Sequence, residues 1–212
     1  MQEYMWLAPW LTDEERPMTD KQLRVLLAAV KLFSEQGYAA TSTREIAQLA
    51  EVSEATIFKH YSTKKEFMLG LCRLLLERVV QPLISTGLDQ LMDRPYDSLN
   101  AFLEALMENR MGLVERALPV VRLLIQEMPF NPELRLMLAE AAAHFPLAAM
   151  FDTLKGQGLM VDWPTEELIK LTVPSLIGFM ISHFVLLPEL LADDMEGEID
   201  RYINFLARAL GK

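Results

Sequence analysis

The sequence predicts an all-α fold, a small three-helix head followed by a larger helical region, with about nine to ten helices in total. Two observations lead there. Nearly every segment repeats its apolar residues at spacings of three and four rather than two, and the Gly and Pro residues fall mostly between such segments. A hydrophobic content of 51% over 212 residues is enough to build a real core.

From Thr19, the residues Leu23, Leu26, Leu27, Val30 and Phe33 recur at helical spacing until Gly37, so a first helix of about five turns should stop there. Ser42 or Thr43 then caps a two-turn helix ending near Ala50, Ser53 caps a second to about Tyr61, and Ser62 or Thr63 caps a helix through Val80 that Pro82 closes. Beyond Gly87, helices are expected at roughly 96–115, 117–128, 131–157, 165–188 and 195–210, separated by Pro119, Pro129, Pro132, Gly158, Pro164 and Pro188. Pro146 and Pro174 sit inside long apolar helices and should bend or split them. The chain thus divides into an extension (1–18), a head (19–66) and a larger helical domain (67–212). Two placements stay open for the extension: mobile, or laid against a neighbour through Trp6, Leu7, Trp10 and Leu11.

The formal charge of −10 argues against a polyanion partner, but it is unevenly spread. Residues 19–66 carry +1, residues 67–212 carry −8 and residues 1–18 carry −3. Only the head can face nucleic acid, with its basic residues gathered on one surface. The lone Cys72 lies in an apolar helical run; it excludes a disulfide framework and reads as core packing or, alternatively, a redox sensor. No leader peptide is evident at the N-terminus and nothing approaches twenty consecutive apolar residues, so a soluble cytoplasmic protein without a membrane partner is expected.

Residues Thr41 to Lys65 form two short capped helices joined by a tight turn, the logic of a helix-turn-helix. Ala47 lets the helices approach, while Ile46, Val52, Ile57 and Tyr61 supply their shared core. With Ile57 and Tyr61 inward, the second helix turns Glu54, Ala55, Phe58 and Lys59 outward, with Thr56 and His60 on the flanks. That face suits a recognition helix in a major groove. Phosphate grips would come from Ser42 and Thr43 at one helix N-terminus and from Thr63 and Lys64 at the next. Arg44 and Ser53 complete the DNA-facing set. Glu54 either accepts from cytosine N4 or stabilises its own helix N-terminus.

Gly37-Tyr38, Thr41 to Thr43, Ile46-Ala47, Ala50, Val52-Ser53, Thr56-Ile57-Phe58, His60-Tyr61 and Lys64-Lys65-Glu66 resemble the N-terminal signature of the TetR family of transcription regulators. The resemblance covers roughly residues 19–66. It implies a three-helix DNA-binding head, a fourth linking helix and a homodimer built on two long C-terminal helices. It also implies release of a palindromic operator by a ligand. Carried over by position, it puts Thr43, Thr56, Lys59, His60 and Lys64 at DNA, with Thr43 and Lys64 on phosphates and Lys59 reading bases. Departures are Glu51 where the family has Gly in the turn, Phe58 where it has Tyr, and Ala55 where it has Gly. Glu51 should occupy a left-handed conformation at a cost of roughly 1–2 kcal/mol.

In the larger domain the residues speak for themselves. Helices 131–157 and 165–188 are the longest and most apolar, with Leu134, Leu138, Ala141, Ala142, Phe145 and Ala149 on one and Leu168, Leu171, Leu176, Phe179 and His183 on the other. They form the expected homodimer contact. Met107, Met111 and Met128 beside Phe102, Leu103 and Leu106 suit an adaptable apolar pocket, or simply core. Arg122, Gln126, Asn109, His144 and His183 lie in apolar stretches and need partners if they point inward. Arg122 would take a ligand carboxylate or pair with Glu115 or Glu127. The candidate effector site is therefore Phe102, Leu106, Met107, Met111, Arg122, Gln126, Met128 and His183. No catalytic, metal or cofactor constellation appears: His60, His144 and His183 are far apart, and no phosphate loop exists.

The expectation is a ligand-responsive repressor, not an enzyme, with double-stranded DNA, a second copy of itself and a small, largely apolar effector as partners. A DNA-binding regulator controlled by a protein partner, and a helical enzyme or scaffold with a vestigial head, are the competing readings.

Overall fold

The computed structural model describes residues 2–12, 18–85, 87–143, 147–186 and 194–212. Ten helices follow one another: α1 (Asp20–Ala40), α2 (Thr43–Leu49), α3 (Glu54–Phe58), α4 (Lys64–Leu75), α5 (Leu88–Met92), α6 (Leu99–Glu127), α7 (Pro132–Ala143), α8 (Leu147–Gly156), α9 (Thr165–Ile181) and α10 (Met195–Leu210). Wide π-type turns at Leu76–Val80 and Ser182–Leu186 extend α4 and α9, and Gln81–Ser85 adds a last turn to the former. No strand occurs among the described residues, only an antiparallel bridge between Met160 and Gly211.

The chain separates into two compact units, residues 1–83 with 117–144 and residues 84–116 with 145–212. In the first, Thr19 begins α1 with a reciprocal capping box to Gln22, and Gly37 interrupts it at φ 82°. Ser42 caps α2 in a second box with Glu45, and the Thr63 hydroxyl accepts from the Glu66 amide at the start of α4. Each start falls where the sequence places it. Ser53 is an exception, because its hydroxyl meets the Thr56 hydroxyl at 3.1 Å instead of capping a backbone amide. Phe33, Ile46, Ile57, Phe67 and Leu71 fill the interior of this unit. Cys72 is buried there with its Sγ 3.5 Å from Met68 Sδ, and burial pushes its thiol pKa up to about 12, so it packs as an apolar side chain.

The extension is laid against its own chain. Gln2–Leu7 forms a 3₁₀ segment and Ala8–Leu11 an α turn, with Leu7 and Leu11 fully buried and Tyr4 nearly so. The Tyr4 hydroxyl donates to Glu35 of α1 at 3.2 Å, Lys31 sits 5.5 Å from the Tyr4 ring centroid, and Arg78 donates to the Leu11 carbonyl at 2.9 Å. Burying each leucine contributes roughly 1.5–3 kcal/mol, which holds a segment of so few residues in place. Trp6 and Trp10 are only half-buried.

Two expectations about proline are corrected. Pro82 does not close the helix, since Gln81–Ser85 continues it; the wide turn just before, where the Gln81 amide donates to the Leu76 carbonyl, makes room for the ring. Pro119 does not separate two helices but lies inside the 29-residue α6. An interior proline costs about 3 kcal/mol, offset here by burial of Ala117, Val120, Leu123 and Leu124 around it. Pro174 likewise leaves α9 unsplit. His144, Phe145, Pro146 and Pro188 lie outside the described residues.

In the second unit, Phe102, Leu103, Leu106 and Met107 of α6 pack with Phe151 and Leu154 of α8, Leu168 of α9 and Ile203, Leu206 and Leu210 of α10. The helix α5 was not expected from the sequence. Its Leu91 joins that core, and Gly87 just before it, at φ 79°, leaves no room for a Cβ beside the Asn109 amide.

Candidate nucleic-acid interface

The outward face of α3 is built by the burial of its other side. Ile57 is 2% exposed and Ile46 and Ala50 of the preceding helix are fully buried, so Glu54, Ala55, Phe58, Lys59 and His60 are left in solvent and Thr56 at the margin. Phe58 is 42% exposed, a large apolar ring held partly in solvent. Tyr61 packs edge-on against Phe67 at 5.2 Å, and only a glycine at position 70 admits it, since a Cβ there would stand 2.6 Å from Tyr61 Cε1. The segment that follows α3 is thereby seated on α4.

The turn between α2 and α3 is made by Glu51 at φ 55°, the left-handed conformation expected of it. The Val52 amide donates to the Ala47 carbonyl at 3.0 Å, so the turn closes as a helix C-cap without glycine.

Around this face the polar groups are arranged less simply than the sequence suggested. The Thr43 hydroxyl donates to a Glu54 carboxylate oxygen at 2.5 Å, tying the first turn of α2 to the first turn of α3. Glu54 therefore stands at two helix N-termini, where the helix dipoles favour its charge. The Ser42 hydroxyl donates to Glu45, and the capping bonds from the Ser42 amide and hydroxyl hold the Glu45 carboxyl below its ordinary pKa. Lys64 is half-buried: its ammonium donates to the Tyr38 carbonyl and lies 4.1 Å from the Tyr38 ring centroid. Desolvation pulls its pKa below the usual lysine value. Arg44, Lys59 and His60 are exposed. The Tyr38–Lys64 and Thr43–Glu54 contacts join residues distant in sequence and carry no periodic signal; Tyr38 was visible only as part of the family signature.

Residues 25–71 match the family model of bacterial regulatory proteins of the tetR family. The N-terminal head of this chain is thus similar to that of the TetR family. A segment of 55 residues is 47% identical to an uncharacterized HTH-type transcriptional regulator of Bacillus subtilis, covering 26% of this chain and 27% of that protein. A 93-residue segment is 34% identical to an HTH-type transcriptional repressor of Mycobacterium tuberculosis, covering 35% and 50%. The chain thus spans between about a quarter and half the length of these curated relatives. Among solved structures, a TetR-family transcriptional regulator of Thermus thermophilus superposes with a TM-score of 0.63 at 26% identity, over 87% of this chain and 97% of that one. A putative transcriptional regulator of Saccharomonospora viridis, solved with choline, superposes at 0.70 and 21% identity over 92% and 100%. The second likeness is one of fold.

The TetR-like body distributes the eight candidate effector residues between both units. Phe102, Leu106 and Met107 are buried in the core of the second, and Met111 packs against that core. His183 is buried in the second unit, its Nδ1 2.9 Å from the Phe179 carbonyl. Arg122, Gln126 and Met128 belong to the first unit, where Gln126 and Met128 are exposed and Arg122 is half-buried.

Proposed function

We propose that this chain is a ligand-responsive transcriptional repressor that binds a palindromic operator as a homodimer and is released by a small, largely apolar effector. The observation that carries the reading is the exposed face of α3, with Phe58, Lys59 and His60 in solvent on a helix whose opposite side is locked into the head. Lys59 and Arg44 are the cations free to reach DNA, Lys59 toward base edges and Arg44 toward phosphate. Phe58 would contact a sugar or a thymine methyl. Ser42, Ser53, Ala55, Thr56 and the first turns of α2 and α4 would line the groove, with Thr43 and Lys64 reaching phosphate while held by Glu54 and Tyr38.

Dimerisation through Thr165–Leu186 is supported by what that stretch exposes: Leu171 is 60%, Ile177 50% and Leu186 63% exposed. Phe205 of α10 is 64% exposed, and the expected partner stretch 131–157 offers Leu136. Exposed large apolar side chains of this kind suit a protein partner. Thr165–Leu186 also has the length and hydropathy of a membrane span. Its buried Thr172 and His183 on one side and packing against α8 favour a two-sided core helix in a cytoplasmic dimer. The relative named as a repressor and the fold neighbour holding choline support the sign of regulation and a small-molecule effector.

Selection of genomic fragments retained by the purified full-length chain tests the reading. Enrichment of a shared inverted repeat is expected; retention no better than input would overturn it and favour a scaffold with a vestigial head.

A further inference from the structure

Thr172, Ser175, Phe179 and His183 follow at spacings of three and four, one face of α9 and the π-type turn that extends it. Tyr202 of α10 lies on this face: its ring stacks on Phe179 at 4.3 Å and 13°, and its hydroxyl donates to Ser175 at 3.0 Å. The His183 ring rests against Phe179 at 4.1 Å. A carbonyl only accepts, so the 2.9 Å contact to the Phe179 carbonyl places a proton on Nδ1, and in the neutral imidazole Nε2 then carries the lone pair. That lone pair is buried and has no hydrogen-bond partner, and neither does the Thr172 hydroxyl; the residues are 5% and 9% exposed. Thr172 also forgoes the bond to its own helix backbone that a helical threonine ordinarily makes. Interior polar atoms in this condition call for an absent partner.

The surroundings are adaptable. Phe179 and Tyr202 pack against the same core as Met92, Met107, Met111, Met150, Met160 and Met180, whose thioethers rearrange at little cost. The π-type turn carrying His183 is a local departure of the sort that collects at functional sites. The described residues of this unit bury no carboxylate to attract a cation; they bury one guanidinium, Arg110 of α6, while at the anchor itself the bare imidazole lone pair repels an anion.

We propose that this face of α9 is the polar anchor of the effector, and that the effector is a neutral amphiphile. Its apolar body enters the methionine-rich core, and one O–H or N–H group donates to His183 Nε2, with Thr172 Oγ1 as a second contact. The inference rests on the effector-responsive reading above and narrows it to a ligand class.

Calorimetric titration of the full-length chain without DNA, using decan-1-ol, its methyl ether and decanoate, tests it. The alcohol should bind about tenfold more tightly than the ether, a difference of ~1.4 kcal/mol. His183→Leu should abolish that preference while leaving ether binding and the thermal midpoint undiminished, a pattern that a merely structural histidine would not give. Thr172→Val should weaken alcohol binding several-fold and keep the preference. Equal binding of alcohol and ether, tighter binding of decanoate, or no binding by any probe would overturn the proposal. Retention of DNA by the same preparation is scored separately: DNA without alcohol sinks this inference alone, alcohol without DNA sinks the regulator.

Discussion

The helix starts of the head and the core of the second unit treat polarity differently. In the head, polar side chains at the helix starts are tied down locally, Thr19 to Gln22, Ser42 to Glu45, Thr43 to Glu54, Lys64 to Tyr38, although the buried Arg24 Nε has no hydrogen-bond partner. In the second unit, Tyr96, Asn109, Thr172 and His183 each keep a buried polar atom without a partner; Leu171, Ile177, Leu186 and Phe205 stand in solvent there, as Phe130 and Leu136 do in the first. Under the proposed function, a head that presents one fixed face to DNA benefits from such local ties, and a region proposed to accept a molecule keeps polar groups unspent inside.

The contrast is broken most severely by core deletion. Phe67→Ala, which removes the ring between Phe33 and Tyr61, should destabilise the first unit by about 3–5 kcal/mol in urea unfolding. Met107→Leu in the second unit should cost under about 1.5 kcal/mol, because the volume is kept and the neighbours adapt. Equal costs at the two positions would remove the distinction between a rigid head and an adaptable core.

Leu7→Ala should cost roughly 2–3 kcal/mol, close to the effect of deleting residues 1–12 outright, since a weakened extension detaches. A deletion that left the unfolding midpoint unchanged would mean that the extension contributes nothing to the head.

Substitution at the DNA-facing cations separates two roles. Lys59→Ala should lower affinity for operator by roughly 1–3 kcal/mol and relax its sequence preference, with the midpoint of unfolding unchanged. Lys64→Ala should lower the midpoint as well, because it strips the Tyr38 carbonyl of its donor. Identical behaviour of the two variants would place both at phosphate with no structural share.

The smallest effect is expected at the turn. Glu51→Gly should stabilise the head by up to about 1 kcal/mol, relief of the left-handed strain being partly offset by the greater freedom of glycine in the unfolded chain. Destabilisation would show that the Glu51 side chain contributes more than its strain costs.

Much of this was legible from local chemistry. Thr19, Ser42 and Thr63 mark helix starts because capping is a matter of neighbouring residues, and Gly37 and Glu51 mark turns because φ is a local quantity. Met195–Leu210 matches the expected helix at both ends. What escaped was non-local. Pro82 and Pro119 read as breaks until the packing that outweighs them is in view. Nothing periodic in Tyr4, Leu7 and Leu11 announces Glu35 and Arg78 as their partners. The exposed side of α3 followed from two inward residues, Ile57 and Tyr61, whereas the candidate effector residues were gathered by type, so the fold spread them over both units.

The central claim is that two copies of this head read one turn of DNA each side of a dyad. Footprinting the full-length chain on its selected fragment tests it most directly. The account predicts paired protection of two inverted half-sites whose centres are about one helical turn, or a multiple of it, apart, weakened together by Lys59→Ala. Protection of a single half-site by one copy, or of DNA without an inverted repeat, would contradict it.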